Sequence, residues 1–98
     1  MKEFFLSPAA RIDLAGIWDY TVKRWGVEQA ERYIRELTDA CQALTDERLS
    51  GRAIDDVRAG YFKLSVGSHF LCYRFTGIGT IEIIRILHQR MDIPERLA

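Results

Sequence analysis

The spacing of apolar residues changes abruptly after Leu49, and this change limits the folds that the chain can adopt. Between Pro8 and Leu49 apolar side chains recur every three or four residues, whereas from Tyr61 onward they occur in short segments with period two. Helical and strand periods confined to separate stretches are typical of an α+β domain. The 98 residues, 48% of them apolar, predict one folded domain that spans 1–98.

The helical stretch predicts two helices in an antiparallel hairpin. Ser7 and Pro8 form a start signal, because serine can cap free amides and proline is tolerated at the first helical position. Trp25-Gly26 ends the first helix, since glycine accepts the left-handed turn that often follows a helix. The second helix carries one continuous apolar stripe: Val27, Ala30, Ile34, Leu37, Cys41 and Leu44. So short a connection between two helices predicts that they pack side by side.

Two further predictions concern the core residues and the end of the helical stretch. The tryptophans Trp18 and Trp25 and the tyrosine Tyr33 lie at helical spacing and are predicted to be core residues. The second helix is predicted to continue to Leu49, because the first helix-breaking pair beyond it is Ser50-Gly51.

Four short apolar segments are predicted to be strands: Glu3 to Leu6, Tyr61 to Val66, His69 to Thr76 and Thr80 to His88. Gly67-Ser68 is a two-residue hairpin signal, and Gly77-Ile78-Gly79 predicts a second tight turn. The last three strands would therefore form an antiparallel meander in a largely antiparallel sheet. The residues 50–60 between the helices and this meander are predicted to be loop, and Glu95 to Ala98 a closing helical turn.

The predicted strands carry apolar residues on both faces. In the last strand Ile81, Ile83 and Leu87 would point one way, and Ile84 and Ile86 the other. One helical hairpin can cover only one face of a sheet, so apolar surface remains on the other. Either the N-terminal strand and the C-terminal tail fold over this surface, or a partner chain covers it.

Charge and cysteine content exclude several classes of protein. Acidic and basic residues balance at 14 each. Because there is no basic surplus, the chain alone is not expected to bind nucleic acid. No segment is long enough for a signal peptide or a membrane span. Cys41 and Cys72 stand far apart and are typical of small buried side chains. We expect a reduced, cytoplasmic protein without a metal or cofactor.

The C-terminal half contains the residues that could form a site: Arg74, Arg85, His88, Arg90, Met91 and Asp92. A ribonuclease needs an acid, a base and cationic groups on the phosphate, which His88 and the two strand arginines Arg74 and Arg85 could supply. The stronger interpretation is that these arginines form structural ion pairs, with Asp92 as the suggested partner of Arg85. No residue is assigned a catalytic role.

Several motifs, in order along nearly the whole chain, resemble the ParE branch of the RelE/ParE toxin superfamily. They are Leu6-Ser7-Pro8-Ala9-Ala10, Asp13-Leu14, Ile17, Tyr20, Trp25-Gly26, Ala30, Tyr33, Gly60-Tyr61, Gly67-Ser68-His69, Tyr73-Arg74 and the closing octet Arg85 to Asp92. Each motif is weak alone, and the octet is the strongest. The resemblance implies a helical hairpin packed on a curved antiparallel sheet.

The resemblance also implies a function. ParE proteins are toxins of bacterial type II toxin–antitoxin systems, associated with plasmid stabilization, that poison DNA gyrase. A ParD-type antitoxin, whose C-terminal segment wraps the toxin, neutralises them in a hetero-oligomer. That segment could occupy the uncovered apolar face of the sheet. The closing octet would then be the rim of a binding surface for the target or the partner.

The RelE branch gives the alternative, a ribosome-dependent mRNA endoribonuclease. Arg74 and His88 stand roughly where some of those enzymes place an arginine and a histidine. However, Gln89 follows His88 where a tyrosine would be expected, and only Asp55 and Asp56 are candidates for an acidic partner. We therefore favour the ParE interpretation, in which the protein acts by binding.

Overall fold

The computed structural model describes residues 3–77, 79–91 and 93–97. Its elements, in chain order, are β1 (Glu3–Leu6), α1 (Pro8–Trp25), α2 (Val27–Thr45), β2 (Arg52–Ala53), β3 (Tyr61–Val66), β4 (His69–Gly77), β5 (Thr80–His88) and α3 (Ile93–Leu97). The predicted α+β class is therefore confirmed. Ile78 in the predicted second turn, Asp92 in the octet and the terminal Ala98 lie outside the described residues.

The five described strands form one mixed sheet in the order β1-β5-β4-β3-β2. The meander β3-β4-β5 is antiparallel, as predicted, with Gly67-Ser68 as its first turn. The N-terminal strand β1 runs parallel to β5, with Leu6 opposite Ile83. The short strand β2 lies within residues 50–60, which were predicted to be loop. A strand of two residues is too short to show an alternating pattern, so its pairing with β3 leaves no signal in the sequence.

The helix boundaries have local causes. The Ser7 hydroxyl accepts a hydrogen bond from the Ala10 N–H at 3.0 Å and donates one to the Ile84 carbonyl at 2.6 Å, so the cap also ties α1 to β5. Gly26, with φ of +95°, makes the break between α1 and α2. The predicted end of α2 at Leu49 is wrong, because the helix stops at Thr45. Glu47 adopts the left-handed φ of +62°, which ends the helical hydrogen-bond pattern without a glycine.

The main core lies between the helical hairpin and one face of the sheet. Its fully buried side chains include Leu37 from α2, Leu71 and Tyr73 from β4, and Ile81 and Ile83 from β5. The Tyr73 hydroxyl accepts a hydrogen bond from the Gly51 N–H at 2.8 Å, which fixes the segment that leads into β2. The apolar stripe of α2 therefore faces the sheet, as its period predicts.

A β-bulge changes the faces of the last strand. Tyr73 pairs with Ile83 and Cys72 with Arg85, so Ile84 is an extra residue between the two pairs. Beyond this bulge the alternation is shifted by one residue. Ile86 therefore packs in the main core and Leu87 on the opposite face. The faces predicted for Ile86 and Leu87 are wrong for this reason, whereas those of Ile81 and Ile83 are as predicted.

Part of the opposite face of the sheet is covered by the chain itself. A second cluster packs Cys72 and Leu87 of the sheet against Ile93 and Leu97 of α3, with Ile54 beside them. Of the two predicted alternatives, the C-terminal tail does cover this face, but β1 does not, because it lies at the sheet edge. The apolar surface around Cys72 and Leu87 is therefore not free for a partner.

Candidate binding grooves

The larger of two concave surfaces among the described residues runs along α1. This α1 groove, of about 830 Å³, lies between α1, the turn from β3 to β4 and the end of β5. Its lining residues are Ile12, Asp13, Gly16, Ile17, Tyr20, Thr21, Arg24, Trp25, Gln29, Tyr33, Ser68, His69, Ile86, His88 and Met91. The groove therefore combines an apolar wall on the helix with polar side chains on the hairpin.

The helix wall of the α1 groove is formed by large apolar side chains that the fold leaves exposed. Ile12 is 73% exposed, Tyr20 64% and Trp25 65%. The prediction that Trp25 is a core residue is wrong. Trp25 is the last residue of α1, and its ring lies under the Arg24 guanidinium, with 5.5 Å between the Arg24 Cζ and the ring centroid. Several apolar side chains on one solvent-facing helix surface are typical of a binding site.

The other wall contains a cluster of Tyr33, His69 and His88. The Tyr33 hydroxyl lies 2.6 Å from His69 Nδ1 and accepts a hydrogen bond from the Ser68 N–H at 3.0 Å. His69 is paired with His88 across β4 and β5, and their rings meet edge to face with centroids 5.3 Å apart. Tyr33 is half-buried and packs against the main core, close to its predicted role. The cluster holds the β3–β4 turn against α2.

The electrostatics of this cluster favour a neutral imidazole at His69. Partial burial, and secondly the nearby His88, lower the pKa of His69, while Asp13 acts weakly in the opposite direction. Burial likewise raises the pKa of the Tyr33 hydroxyl. His88 Nδ1 accepts a hydrogen bond from the Arg90 N–H at 3.1 Å, which places the proton of a neutral ring on Nε2.

The second concave surface is smaller and basic. This arginine hollow, of about 490 Å³, lies where the start of α1 meets β4, β5 and α3. It is lined by Ser7, Pro8, Ala9, Arg58, Tyr61, Arg74, Glu82, Ile84, Arg85, Arg96 and Leu97. Four of these eleven residues are arginines. The hollow is therefore locally basic, although the formal net charge of the chain is zero.

Arg85 forms the most extensive ion pair of the described residues. Its Nε and Nη2 donate to the two carboxylate oxygens of Asp13 at 2.7 and 2.9 Å, a bidentate geometry. The same carboxylate accepts the Ile86 N–H at 2.9 Å. This hydrogen bonding to Asp13 raises the pKa of Arg85. The sequence predicted an internal ion pair correctly, but the partner in the described residues is Asp13; the suggested partner Asp92 lies outside them.

Arg74 forms the second predicted ion pair. Its Nε donates to the Glu82 carboxylate at 2.8 Å. Arg74 and Glu82 lie directly opposite each other in the pairing of β4 with β5. The pair is partly exposed, with 47% of the Arg74 side chain accessible, so its contribution to stability is modest. Both strand arginines are thus engaged by carboxylates of this chain.

The structure separates the six residues predicted to form a site. Arg74 and Arg85 line the arginine hollow, His88 and Met91 line the α1 groove, and Arg90 is exposed in the turn after β5. Asp92 lies outside the described residues. The sequence did not single out the exposed Tyr20 or the partner Asp13, although both fall within the motifs that carry the family resemblance.

Nothing in the described part of the chain assembles a metal site. Residues 3–77, 79–91 and 93–97 contain no group of three His, Cys, Asp or Glu side chains that could hold an ion. Cys41 and Cys72 are free and buried, and burial raises their pKa values to about 12 and about 11. Among the described residues no helix is both long and apolar enough to cross a bilayer.

Comparisons with known proteins identify the family. Residues 4–93 match the family described as the ParE toxin of the type II toxin–antitoxin system parDE. The chain is 54% identical over 96 residues to Toxin ParE1 of Mycobacterium tuberculosis, covering 98% of each chain. It is 44% identical over 97 residues to Toxin ParE1 of Caulobacter vibrioides, covering 99% of each.

A solved structure supports the same fold. The structure described as the chromosomal ParDE TA system from P. aeruginosa contains a chain that superposes with a TM-score of 0.75 at 23% identity. The match covers 90% of this chain and 96% of that one. With the family match over residues 4–93 and the two curated relatives, this chain belongs to the ParE toxin family of type II toxin–antitoxin systems.

Proposed function

We propose that this chain inhibits DNA gyrase by binding to it and that a ParD-type antitoxin neutralises it by forming a hetero-oligomer in the cytoplasm. The chain would thus act as a binding-type toxin and not as a nuclease. Family membership supplies the class of protein. The choice between binding and cleavage depends on how the candidate catalytic residues are used in the fold.

The observation that carries the proposal is the bidentate pair between Arg85 and Asp13. A ribonuclease would need cationic groups that are free to contact the phosphate as charge develops in the transition state. Arg85 donates from Nε and Nη2 to Asp13 and from Nη1 to the Arg96 carbonyl at 3.3 Å, so all three of its nitrogens are engaged. This arrangement suits a structural role for Arg85.

The surroundings of His88 support the same choice. His88 lies in the α1 groove, whereas Arg74 and Arg85 line the separate arginine hollow. A general acid or base must lie within hydrogen-bond reach of the group that it serves. The candidate acid Asp55 accepts the Gly60 N–H at 2.9 Å within its own loop and lines neither concave surface. Among the described residues, His88, the two strand arginines and the candidate acids Asp55 and Asp56 are therefore not brought together in one concave surface.

The α1 groove supplies a surface for the antitoxin. Its exposed Ile12, Tyr20 and Trp25 offer apolar area to a segment that folds as it binds. The probe for this part of the proposal is the product of a neighbouring reading frame with a ribbon-helix-helix pattern. Aromatic side chains dominate many interfaces, so Trp25→Gln should weaken binding of that protein by about tenfold or more. Leu49→Gln, an exposed apolar control outside the groove, should leave the affinity unchanged.

The gyrase part is tested by a cleavage assay with purified gyrase, run beside primer extension on mRNA from induced cells. We expect a trapped gyrase–DNA complex, intact mRNA and substantial toxicity in His88→Gln. For the alternative, a ribosome-dependent endoribonuclease, His88→Gln should lower the rate by about 10²–10⁴. Codon-phased mRNA cuts that disappear in His88→Gln, with no trapped complex, would refute the binding mechanism.

A further inference from the structure

We infer that the arginine hollow is a binding site for a phosphate group, carried either by a nucleic acid or by a small phosphate ester. Its guanidinium groups belong to Arg58, Arg74, Arg85 and Arg96. Two carboxylates contact them, Glu82 at Arg74 and Asp13 at Arg85. Two positive charges therefore remain in one hollow of a chain whose formal net charge is zero.

Two of these guanidinium groups, those of Arg58 and Arg74, are oriented by contacts within the fold. Arg58 Nη1 donates to the Leu97 carbonyl at 3.3 Å, and its Cζ lies 5.2 Å from the centroid of the Tyr61 ring. Arg74 is oriented through its Nε by Glu82, which leaves its two terminal nitrogens without an acceptor among the described residues. A planar guanidinium that is already oriented loses little entropy when it binds an anion through its remaining N–H groups.

Two further donors line the same hollow. Arg96 is exposed on α3, and its guanidinium has no partner among residues 3–77, 79–91 and 93–97. Ala9 also lines the hollow, in the first turn of α1, which contains no acidic residue, and the first N–H groups of a helix have no acceptor within that helix. Donors that approach from several directions suit the tetrahedral oxygens of a phosphate, whereas a planar carboxylate is satisfied by one bidentate arginine.

The inferred site is distinct from the gyrase proposal and does not depend on it. The balanced charge of the whole chain predicts no binding of nucleic acid by the chain alone, but the local surplus in the hollow predicts weak, salt-dependent binding. The groups that bind would be Arg58, Arg74 and Arg96, since each nitrogen of the Arg85 guanidinium already donates to Asp13 or to a backbone carbonyl.

The test uses the full chain without gyrase. Binding of a fluorescent DNA duplex of about one helical turn is followed by anisotropy at several low salt concentrations. If the hollow contacts phosphate, Arg96→Gln should reduce the slope of log K against log salt by about 1. Arg32→Gln, which removes the same charge from the exposed face of α2, should leave that slope unchanged. The Arg96 carbonyl that orients Arg85 is retained in the variant, so the fold should be preserved.

A second arm identifies the source of the phosphate. Inorganic phosphate is titrated while the arginine Nε–H resonances are followed by NMR, and we expect those of Arg74 and Arg96 to shift. Tighter, salt-dependent binding of the duplex, with phosphate as a competitor, would assign the site to nucleic acid. Equal or weaker binding of the duplex would assign it to a small phosphate ester. The inference fails if neither probe shifts these resonances, or if Arg32→Gln loses as much binding as Arg96→Gln.

Discussion

Asp13 and Arg85 are 72 positions apart in the sequence and form a bidentate ion pair that joins the second turn of α1 to β5. Both side chains are largely shielded, with 14% of Asp13 and 24% of Arg85 accessible. The pair lies between the two concave surfaces, because Asp13 lines the α1 groove and Arg85 the arginine hollow. This one ion pair therefore fixes a lining residue of each concave surface.

Replacing the carboxylate of this pair should destabilise the domain. Asp13→Asn removes the charge that neutralises Arg85 and weakens the bond to the Ile86 N–H. Hydrogen bonds to charged groups are worth about 1.5–3 kcal/mol, so we expect a loss of this size in the free energy of unfolding. Urea denaturation measures it. Asp19→Asn on the exposed face of α1 is the control, and an equal loss in both variants would contradict a special role for Asp13.

Stability should fall as the pH is lowered through the titration of His69. Its pKa in the folded protein lies below the unfolded value, so the unfolded chain binds more protons between these two pKa values. The stability is therefore complete above the unfolded pKa of about 6.5 and decreases until the pH reaches the folded pKa. Melting temperatures measured across this interval should show the decrease.

The matched variants for this pH dependence are His69→Gln and His88→Gln. We expect His69→Gln to flatten the profile, because the titrating group is removed. His88→Gln should reduce the slope only in part, since burial and not His88 is the main cause of the lowered pKa. A profile that is as steep in His69→Gln as in the unchanged protein would show that another group controls it.

Two glycine substitutions should change stability in opposite directions. A Cβ on Gly67 would lie 2.6 Å from a ring carbon of Tyr33, and its φ of +56° is unfavourable for other residues. Gly67→Ala should therefore destabilise the domain by about 1–3 kcal/mol. Gly16 lies within α1 with open space around its Cβ position, so Gly16→Ala should stabilise by about 0.5–1 kcal/mol. Thermal unfolding by circular dichroism would expose an error in either sign.

A charge in the main core should unfold the domain. Leu37 is 1% exposed in the stripe by which α2 faces the sheet, and an unpaired carboxylate there costs several kcal/mol. Leu37→Asp should lose the far-ultraviolet circular dichroism of the native protein at 37 °C. Leu49→Asp, at an exposed leucine beyond α2, should keep it. A native spectrum for Leu37→Asp would mean that α2 faces the sheet through other residues.

Elements with a regular period were predictable from the sequence. The stripe of α2 and the apolar segment of β4 each extend over enough residues to show their period, and Gly67-Ser68 marks the turn between β3 and β4 directly. The extra residue Ile84 was not predictable, because a bulge is set by pairing with β4 and leaves a normal apolar run. The bulge reversed the faces of Ile86 and Leu87, the two residues that follow Arg85.

The candidate sites were predictable only in part. The closing octet was predicted to form one rim, but Arg85 lines the arginine hollow whereas Ile86, His88 and Met91 line the α1 groove. Helical spacing made Trp25 a predicted core residue, and only the three-dimensional position of the end of α1 shows that it faces solvent. The partner of Arg85 could not be chosen from the sequence, since Asp13 is distant along the chain.

The contacts between the start of α1 and β5 also affect how the sheet can associate with other chains. Strand β1 pairs with β5 only as far as Ile83, and beyond it the Ser7 hydroxyl occupies the Ile84 carbonyl while Asp13 occupies the Ile86 N–H. Side chains of one helix thus take up backbone groups that would otherwise template a foreign strand and promote aggregation. A partner that approaches this part of β5 must therefore bind through side-chain contacts and cannot extend the sheet there.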